Sequence, residues 1–214
     1  MAFNKLNVSV SVDLQAGFAF GQGTDALAGF ESIRGSNSAD SLAGNNFDNR
    51  IEGLKGNDQL FGRDGIDRLL GGDGNDVLNG GNGGDIMQGD AGDDTLVGGG
   101  ARDTLTGGAG LDIFKYSAIA DSGTTSALRD LIADFSIGSD RINLADIDAN
   151  TLVGGNQAFT FIGAGAFTAT AGQLRAVASG GATVISGDIN GDSTADFAIG
   201  LTGVLALTAA DFIL

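Results

Sequence analysis

From Gly35 to Lys115 the chain repeats itself every nine residues, through nine consecutive blocks, without an insertion or a deletion. The blocks are GSNSADSLA, GNNFDNRIE, GLKGNDQLF, GRDGIDRLL, GGDGNDVLN, GGNGGDIMQ, GDAGDDTLV, GGGARDTLT and GGAGLDIFK. The first position is Gly in all nine, the fourth is Gly in six, and the sixth is Asp in eight and Asn49 in the other. The eighth is always apolar: Leu42, Ile51, Leu60, Leu69, Leu78, Met87, Leu96, Leu105 and Phe114. Self-similarity at a fixed short period is the mark of a solenoid, in which each unit buries its apolar face only against its neighbours. A flexible Gly/Asp/Asn linker would match the composition, but it gives no reason to keep an apolar residue in register from block to block.

A block of this length supplies a tight turn of about six residues and a strand of about three, whose middle side chain points inward because side chains alternate along a strand. Two blocks close one coil of 18 residues, so alternate blocks fall on opposite sides and stack at about 4.8 Å. The fold class expected is therefore all-β, a parallel β-roll of nonapeptide repeats, followed by a C-terminal β cap or sandwich. Two acidic ladders result. One carries Asp40, Asp58, Asp76, Asp94 and Asp112, and the other carries Asn49, Asp67, Asp85 and Asp103. Like charges about 5 Å apart repel by about 3 kcal/mol at an effective dielectric near 20, so a cation has to sit between the turns. Calcium suits this ligand set, being a hard ion that takes oxygens from carboxylates and backbone carbonyls.

The blocks follow the pattern G-G-x-G-x-D-x-U-x, and the array resembles the calcium-binding RTX β-roll. The ligands that resemblance implies are the carbonyls of the second and fourth positions and the carboxylate of the sixth. In the block that fits best these are Gly72, Gly74 and Asp76. Carried along the array, the candidates are Asp40, Asn49, Gly56, Asp58, Gly65, Asp67, Gly81, Gly83, Asp85, Gly92, Asp94, Asp103, Gly108, Gly110 and Asp112. Ser38, Phe47 and Ala101 replace the fourth glycine, and Phe47 fits worst. Good sites are expected where Asp58/Asp76, Asp67/Asp85 and Asp76/Asp94 pair, and weaker ones around Asp40, Asn49 and Asp103.

Three regions are expected: residues 1–34, an N-terminal β cap with an inward Ile33 and Glu31 where Asp is usual; 35–115, the roll; and 116–214, a C-terminal β domain. The third contains short β-like runs at 158–163, 174–178, 182–186 and 196–204. Its stretches DLIADFSIGSDRINL and QAFTFIGAGAFTATAGQLR and the terminal DFIL resemble the C-terminal domain of serralysin-type secreted metalloproteases. That resemblance implies type I export with an uncleaved C-terminal signal, matched here by Asp211, Phe212, Ile213 and Leu214, and hence type I secretion machinery as a partner and an extracellular location. The other reading of the same four residues is a last buried strand. GDINGDSTADF spaces Asp188, Asn190, Asp192 and Asp196 like a calcium loop in which alternate side chains converge, with Ser193 where glycine is usual. A polar hairpin turn containing Asn-Gly explains it equally well.

Composition removes most other chemistry. With no His and no Cys there is no imidazole base, zinc motif, thiolate or disulfide. The net charge of −16 repels nucleic acids and anionic lipids, so cations are the natural partners. No apolar run approaches the roughly 20 residues of a membrane span, and the N-terminus lacks the form of a secretory signal. No catalytic constellation stands out; a hydrolase with paired carboxylates is discounted because the ladders account for nearly every prominent Asp. Two functions follow: a secreted module that folds on binding several calcium ions, or the non-catalytic C-terminal region of a larger exoenzyme such as a serralysin-like protease, a lipase or an alginate epimerase, aiding export, stability or binding to an extracellular polysaccharide. Met1-Ala2 fits either a natural start or the boundary of an excised piece.

Overall fold

The structure, a computed structural model, describes residues 8–21, 24–26 and 28–214, so the opening Met1-Ala2 lies outside the described residues. Five short strands come first: β1 (Ser11–Asp13), β2 (Phe18–Phe20), β3 (Thr24–Ala26), β4 (Ser32–Arg34) and β5 (Ser41–Ala43). Strands of six residues follow as β6 (Arg50–Lys55), β7 (Gln59–Asp64), β8 (Arg68–Asp73), β9 (Val77–Asn82), β10 (Ile86–Ala91), β11 (Thr95–Gly100) and β12 (Thr104–Ala109). Beyond them lie β13 (Ile113–Lys115), β14 (Leu131–Ile132), β15 (Arg141–Asn143), β16 (Thr160–Phe161), β17 (Gln173–Ser179), β18 (Ala182–Asp188), β19 (Phe197–Thr202) and β20 (Phe212–Ile213).

The protein is all-β: two ten-stranded sheets enclose one core, with short 3-10 turns as the helical segments among the described residues. Odd blocks supply β5, β7, β9, β11 and β13 to one sheet, and even blocks supply β6, β8, β10 and β12 to the other. All these neighbours pair in parallel with a shift of 18 residues, as in Leu60 opposite Leu78 and Leu69 opposite Met87. Every eighth-position side chain from Leu42 to Phe114 is fully buried. This is the stacking that the nine-residue period dictates, because each block spans half a coil.

One local feature differs from expectation. Strands β6 to β12 are six residues long, not about three as β5 and β13 are, and cover positions seven to nine of one block and one to three of the next, with two inward sites at positions eight and one. The first-position glycine is the second inward site, and with no side chain there the backbones approach closely enough to extend the ladder. Only positions four to six are left as turn.

The sheets do not stop with the repeat. Leu105 faces Ile132, which faces Leu201, and Phe114 faces Ile142, which faces Phe212. The C-terminal strands β18 and β17 then pair antiparallel beyond β19, with β16 at the edge. At the other end Val12 of β1 pairs beside Leu42, and β1, β2 and β3 form an antiparallel meander. Ile33 is buried and faces Ile51. Arg63 takes a second position, which is glycine in four of the nine blocks, at φ 88°. Its guanidinium holds both carboxylate oxygens of Asp13, at 2.8 and 2.7 Å, and the Gly44 carbonyl at 2.7 Å, tying β1 to the roll. The same contact keeps the Asp13 carboxyl below its ordinary value.

Leu78 sits in the middle of this core between Leu60 and Leu96. Leu78→Ala is expected to cost about 2–5 kcal/mol in calcium-loaded denaturant unfolding, through lost transfer energy and the cavity it leaves. Leu152→Ala, at a side chain 71% exposed, is expected to change stability by about 0.5 kcal/mol or less. Equal midpoints for the two variants would contradict the inward assignment of position eight.

Candidate metal centre

Each sixth-position aspartate turns inward at the end of its turn and binds the next coil through its backbone. The N–H of Asp40 donates to Asp58 Oδ1 at 2.7 Å, Asp58 to Asp76 at 2.7 Å, Asp76 to Asp94 at 2.7 Å and Asp94 to Asp112 at 3.0 Å. On the other side Asn49 donates to Asp67 at 2.7 Å, Asp67 to Asp85 at 2.8 Å and Asp85 to Asp103 at 2.7 Å. One carboxylate oxygen per residue is thereby used. The second, Oδ2, is buried without a hydrogen-bond partner in Asp58, Asp67, Asp76, Asp85, Asp94, Asp103 and Asp112. A repeated set of orphaned anionic oxygens is costly unless something positive meets them.

The ladders also extend past the repeat. Asp103 donates to Asp130 Oδ1 at 2.9 Å and Asp112 to Asp140 Oδ1 at 3.2 Å, across gaps of 27 and 28 residues. The Asp130 carboxylate is buried like the others, with the buried Tyr116 hydroxyl beside it as a neighbour that can donate to it. Sequence reasoning missed both aspartates. Their signal is the Asp-x-apolar step of positions six to eight, present as Asp130-Leu131-Ile132 and Asp140-Arg141-Ile142, but stripped of its glycines and period.

The ladder starts differ. Asp40 accepts from the Val10 N–H and, through both oxygens, from Ser36. Asn49 Oδ1 accepts from the Asn45 N–H and its Nδ2 donates to Asn45 Oδ1. Neither retains an orphaned oxygen. Asp140 is likewise satisfied, its Oδ2 accepting from Ser136 at 2.8 Å.

The first-position glycines border the orphaned oxygens, and the second- and fourth-position glycines pack against carbonyls of the coil before. A Cβ on Gly71 would stand 2.3 Å from Asp76 Oδ2, so this glycine leaves the room the carboxylate occupies. The fourth-position glycines Gly56, Gly65, Gly74, Gly83, Gly92 and Gly110 all adopt positive φ, and so do the second-position Gly72, Gly81 and Gly108. At Gly74, with φ +140°, a Cβ would lie 1.7 Å from the Gly56 carbonyl oxygen of the coil before it. These carbonyls point along the stacking axis between coils. Phe47, at a fourth position, stays out of the left-handed region and leaves its ring 68% exposed.

Among the described residues no group of three or more His, Cys, Asp or Glu side chains converges on one point. Each coil contributes a single carboxylate per side, so any ligation here would draw on backbone carbonyls as well. Carboxylate plus carbonyl oxygen is the donor set of a hard divalent ion, and the orphaned Oδ2 atoms fit it.

Removal from water is the largest effect on these groups. It pushes Asp58, Asp85 and Asp94 up to about 7, and Asp67, Asp76, Asp103 and Asp112 up to about 6, with like-charged neighbours adding to it. Asp130 reaches about 8 for the same reason, with Asp103 nearby. Carboxyls raised above their ordinary 3.8 bind more protons folded than unfolded, so metal-free stability is lost as pH rises through roughly 4 to 7. The metal-free protein is therefore expected to gain β-sheet circular dichroism on acidification from about pH 8 to about pH 5. No gain, or a loss, would show that the ladder carboxylates are not buried in that state.

The loop of Asp188, Asn190, Asp192 and Asp196 is built otherwise. Asp188 accepts from the N–H groups of Asn190, Gly191 and Ser193, Asp196 from the N–H of Ile189, and Asp192 from that of Thr194. Asn190 Nδ2 donates to Asp196 at 3.0 Å. Asn190 and Asp196 meet, but the three carboxylates do not converge on one point, and each is satisfied within the loop. Asp211 caps the final turn: it accepts from the Thr208 N–H at 2.7 Å and leads into the buried Phe212 of β20.

Fold and ladders together define a parallel β-roll with a column of buried carboxylates down each side. The chain belongs to the peptidase M10 serralysin C-terminal family, which it matches over residues 19–214. No curated protein matches it. Similar solved structures include the AlgE6R2 subunit of the Azotobacter vinelandii mannuronan C5-epimerase, at 22% identity over 82% of this chain and 91% of that one, with a TM-score of 0.43. The AlgE6R3 subunit of that epimerase is 23% identical over 83% of this chain and 79% of that one, TM-score 0.30. The extracellular lipase LipA of Serratia marcescens is 15% identical over 89% of this chain and 40% of its own length, TM-score 0.35.

Proposed function

We propose that this chain is a secreted calcium-binding module whose roll folds when several Ca2+ ions enter between the coils. The observation that carries it is the column of buried, partnerless Oδ2 atoms from Asp58 to Asp112. Bound calcium would bring two positive charges into each gap, and the chain's own groups do the rest. The Asp carboxylates supply charge, Gly72, Gly74 and their equivalents supply carbonyls, and the leucine column holds the coils at the spacing the ion needs. Ion binding is then folding free energy, because the unfolded chain has no preformed cage. In calcium-poor cytosol the chain stays extended and exportable; outside the cell it folds.

Membership of the serralysin C-terminal family supports a role as the non-catalytic C-terminal part of a secreted enzyme, with type I machinery as export partner. The orphaned oxygens favour binding over catalysis, since the ions would be structural. Titration calorimetry tests the reading: several Ca2+ per chain are expected, with fewer in Asp76→Asn, whose neutral amide cannot replace the buried carboxylate. Asp130→Asn is expected to lose a site as well, although it lies outside the repeat. A stoichiometry of zero, or one unchanged by both substitutions, would overturn the reading. Export is tested separately, by secretion of a form lacking Asp211–Leu214 from cells carrying a type I apparatus; undiminished secretion would remove the tail from the signal.

A further inference from the structure

The outer face of the even-block sheet carries a site of opposite charge, beyond the last repeat. On the antiparallel pair β17 and β18, Arg175 lies opposite Ser186 and Val177 opposite Val184. Together with Arg129 and Ser179 these residues line a cavity of ≈ 240 Å³. Arg175 is held in place by Phe167, its guanidinium carbon 4.5 Å from the ring centroid, and its Nε is buried without a partner. The arm of Arg129 crosses the outer face of β19, where its Nε would stand 3.4 Å from a Cβ on Gly200. The Arg129 carbonyl accepts from Arg102 Nε at 3.1 Å, which braces the segment.

Neither arginine has a carboxylate. The ion pairs among the described residues engage Arg34, Arg50, Lys55, Arg63 and Lys115. The lining they share holds no acidic side chain, in a chain with 27 acidic and 11 basic residues. Two cations sharing one cavity, one with a buried unpaired N–H, make a receptor that lacks only its anion.

We propose that this cavity binds the carboxylate of a small hydroxy acid. The guanidinium fork matches a planar carboxylate better than a spherical or tetrahedral anion. The Ser186 and Ser179 hydroxyls offer partners for a neighbouring hydroxyl, and Val177 and Val184 form an apolar floor. The volume lies below the roughly 300–1,000 Å³ of pockets for drug-sized ligands, so the ligand is an acid of few carbons. This site is independent of the calcium ladders.

The test is an NMR titration of the arginine Nε–H signals in the full, calcium-loaded chain, with sodium lactate, acetate, phosphate and chloride at matched ionic strength. Lactate is expected to give saturable shifts at Arg129 and Arg175, and to bind about threefold tighter than acetate through its hydroxyl. Ser186→Ala should abolish that advantage. Arg175→Lys keeps the charge but loses the fork, and Arg129→Gln loses both; each should weaken lactate about tenfold while leaving the calcium-loaded circular dichroism unchanged. Shifts that chloride reproduces, or lactate affinity retained in both arginine variants, overturn the site. Phosphate binding more tightly than lactate overturns the carboxylate assignment.

Discussion

Excess chelator is expected to strip the roll of its β-sheet circular dichroism, and added calcium to restore it. The magnitude follows from linkage: an ion at 100 times its dissociation constant adds about 2.7 kcal/mol per site when it binds only the folded state. A few such sites supply the whole of a typical domain stability of about 5–15 kcal/mol. Without the ions the balance reverses. Seven buried Oδ2 atoms, on Asp58, Asp67, Asp76, Asp85, Asp94, Asp103 and Asp112, then have no partner, and each unsatisfied buried group costs about 1–3 kcal/mol, more when charged. Aromatic packing is too sparse to offset this, at 7% of residues. A chelated chain with the same spectrum and melting temperature as the calcium-loaded one would end the proposal that calcium drives folding.

Gly71→Ala is expected to disturb both the stacking of the coils and a ladder carboxylate with a single methyl group. Its Cβ would lie 2.3 Å from Asp76 Oδ2 and 2.7 Å from the Gly89 carbonyl oxygen of the next coil. Both are far inside van der Waals contact; the carbonyl is backbone, and the Asp76 carboxylate is held in its ladder by the Asp58 N–H at 2.7 Å. The coil has to open or the carboxylate has to leave its ladder, so a loss of more than about 3 kcal/mol is expected, together with loss of a bound ion. Gly154→Ala is the control: nothing stands within 4 Å of its Cβ, and the change expected is about 0.5 kcal/mol or less. Thermal melting of both proteins in saturating calcium decides it. Matching melting temperatures would mean that the coils are not stacked as closely as described.

The array itself was legible because a solenoid makes only nearest-neighbour contacts. The period alone sets the 18-residue register, the inward column from Leu42 to Phe114 and the two acidic ladders. Even the poor fit of Phe47 was visible, and the structure leaves its ring in solvent. The regular strands of the C-terminal region also fell where alternation put them, at β17, β18 and β19.

What the sequence by itself determined is whatever repeats: which side chains face inward, which carry charge, and which positions tolerate nothing larger than hydrogen. Tertiary structure decided whatever depends on long-range closure. Asp130 and Asp140 join the ladders across 27 and 28 residues instead of 18, so no period announces them. Arg63 meets Asp13, fifty residues earlier, a pairing that no local spacing announces. Arg129 and Arg175 share a cavity only because β14, β19, β18 and β17 stand side by side in one sheet. Local spacing encodes a contact between adjacent coils, whereas a contact between distant segments exists only once the chain has folded back on itself.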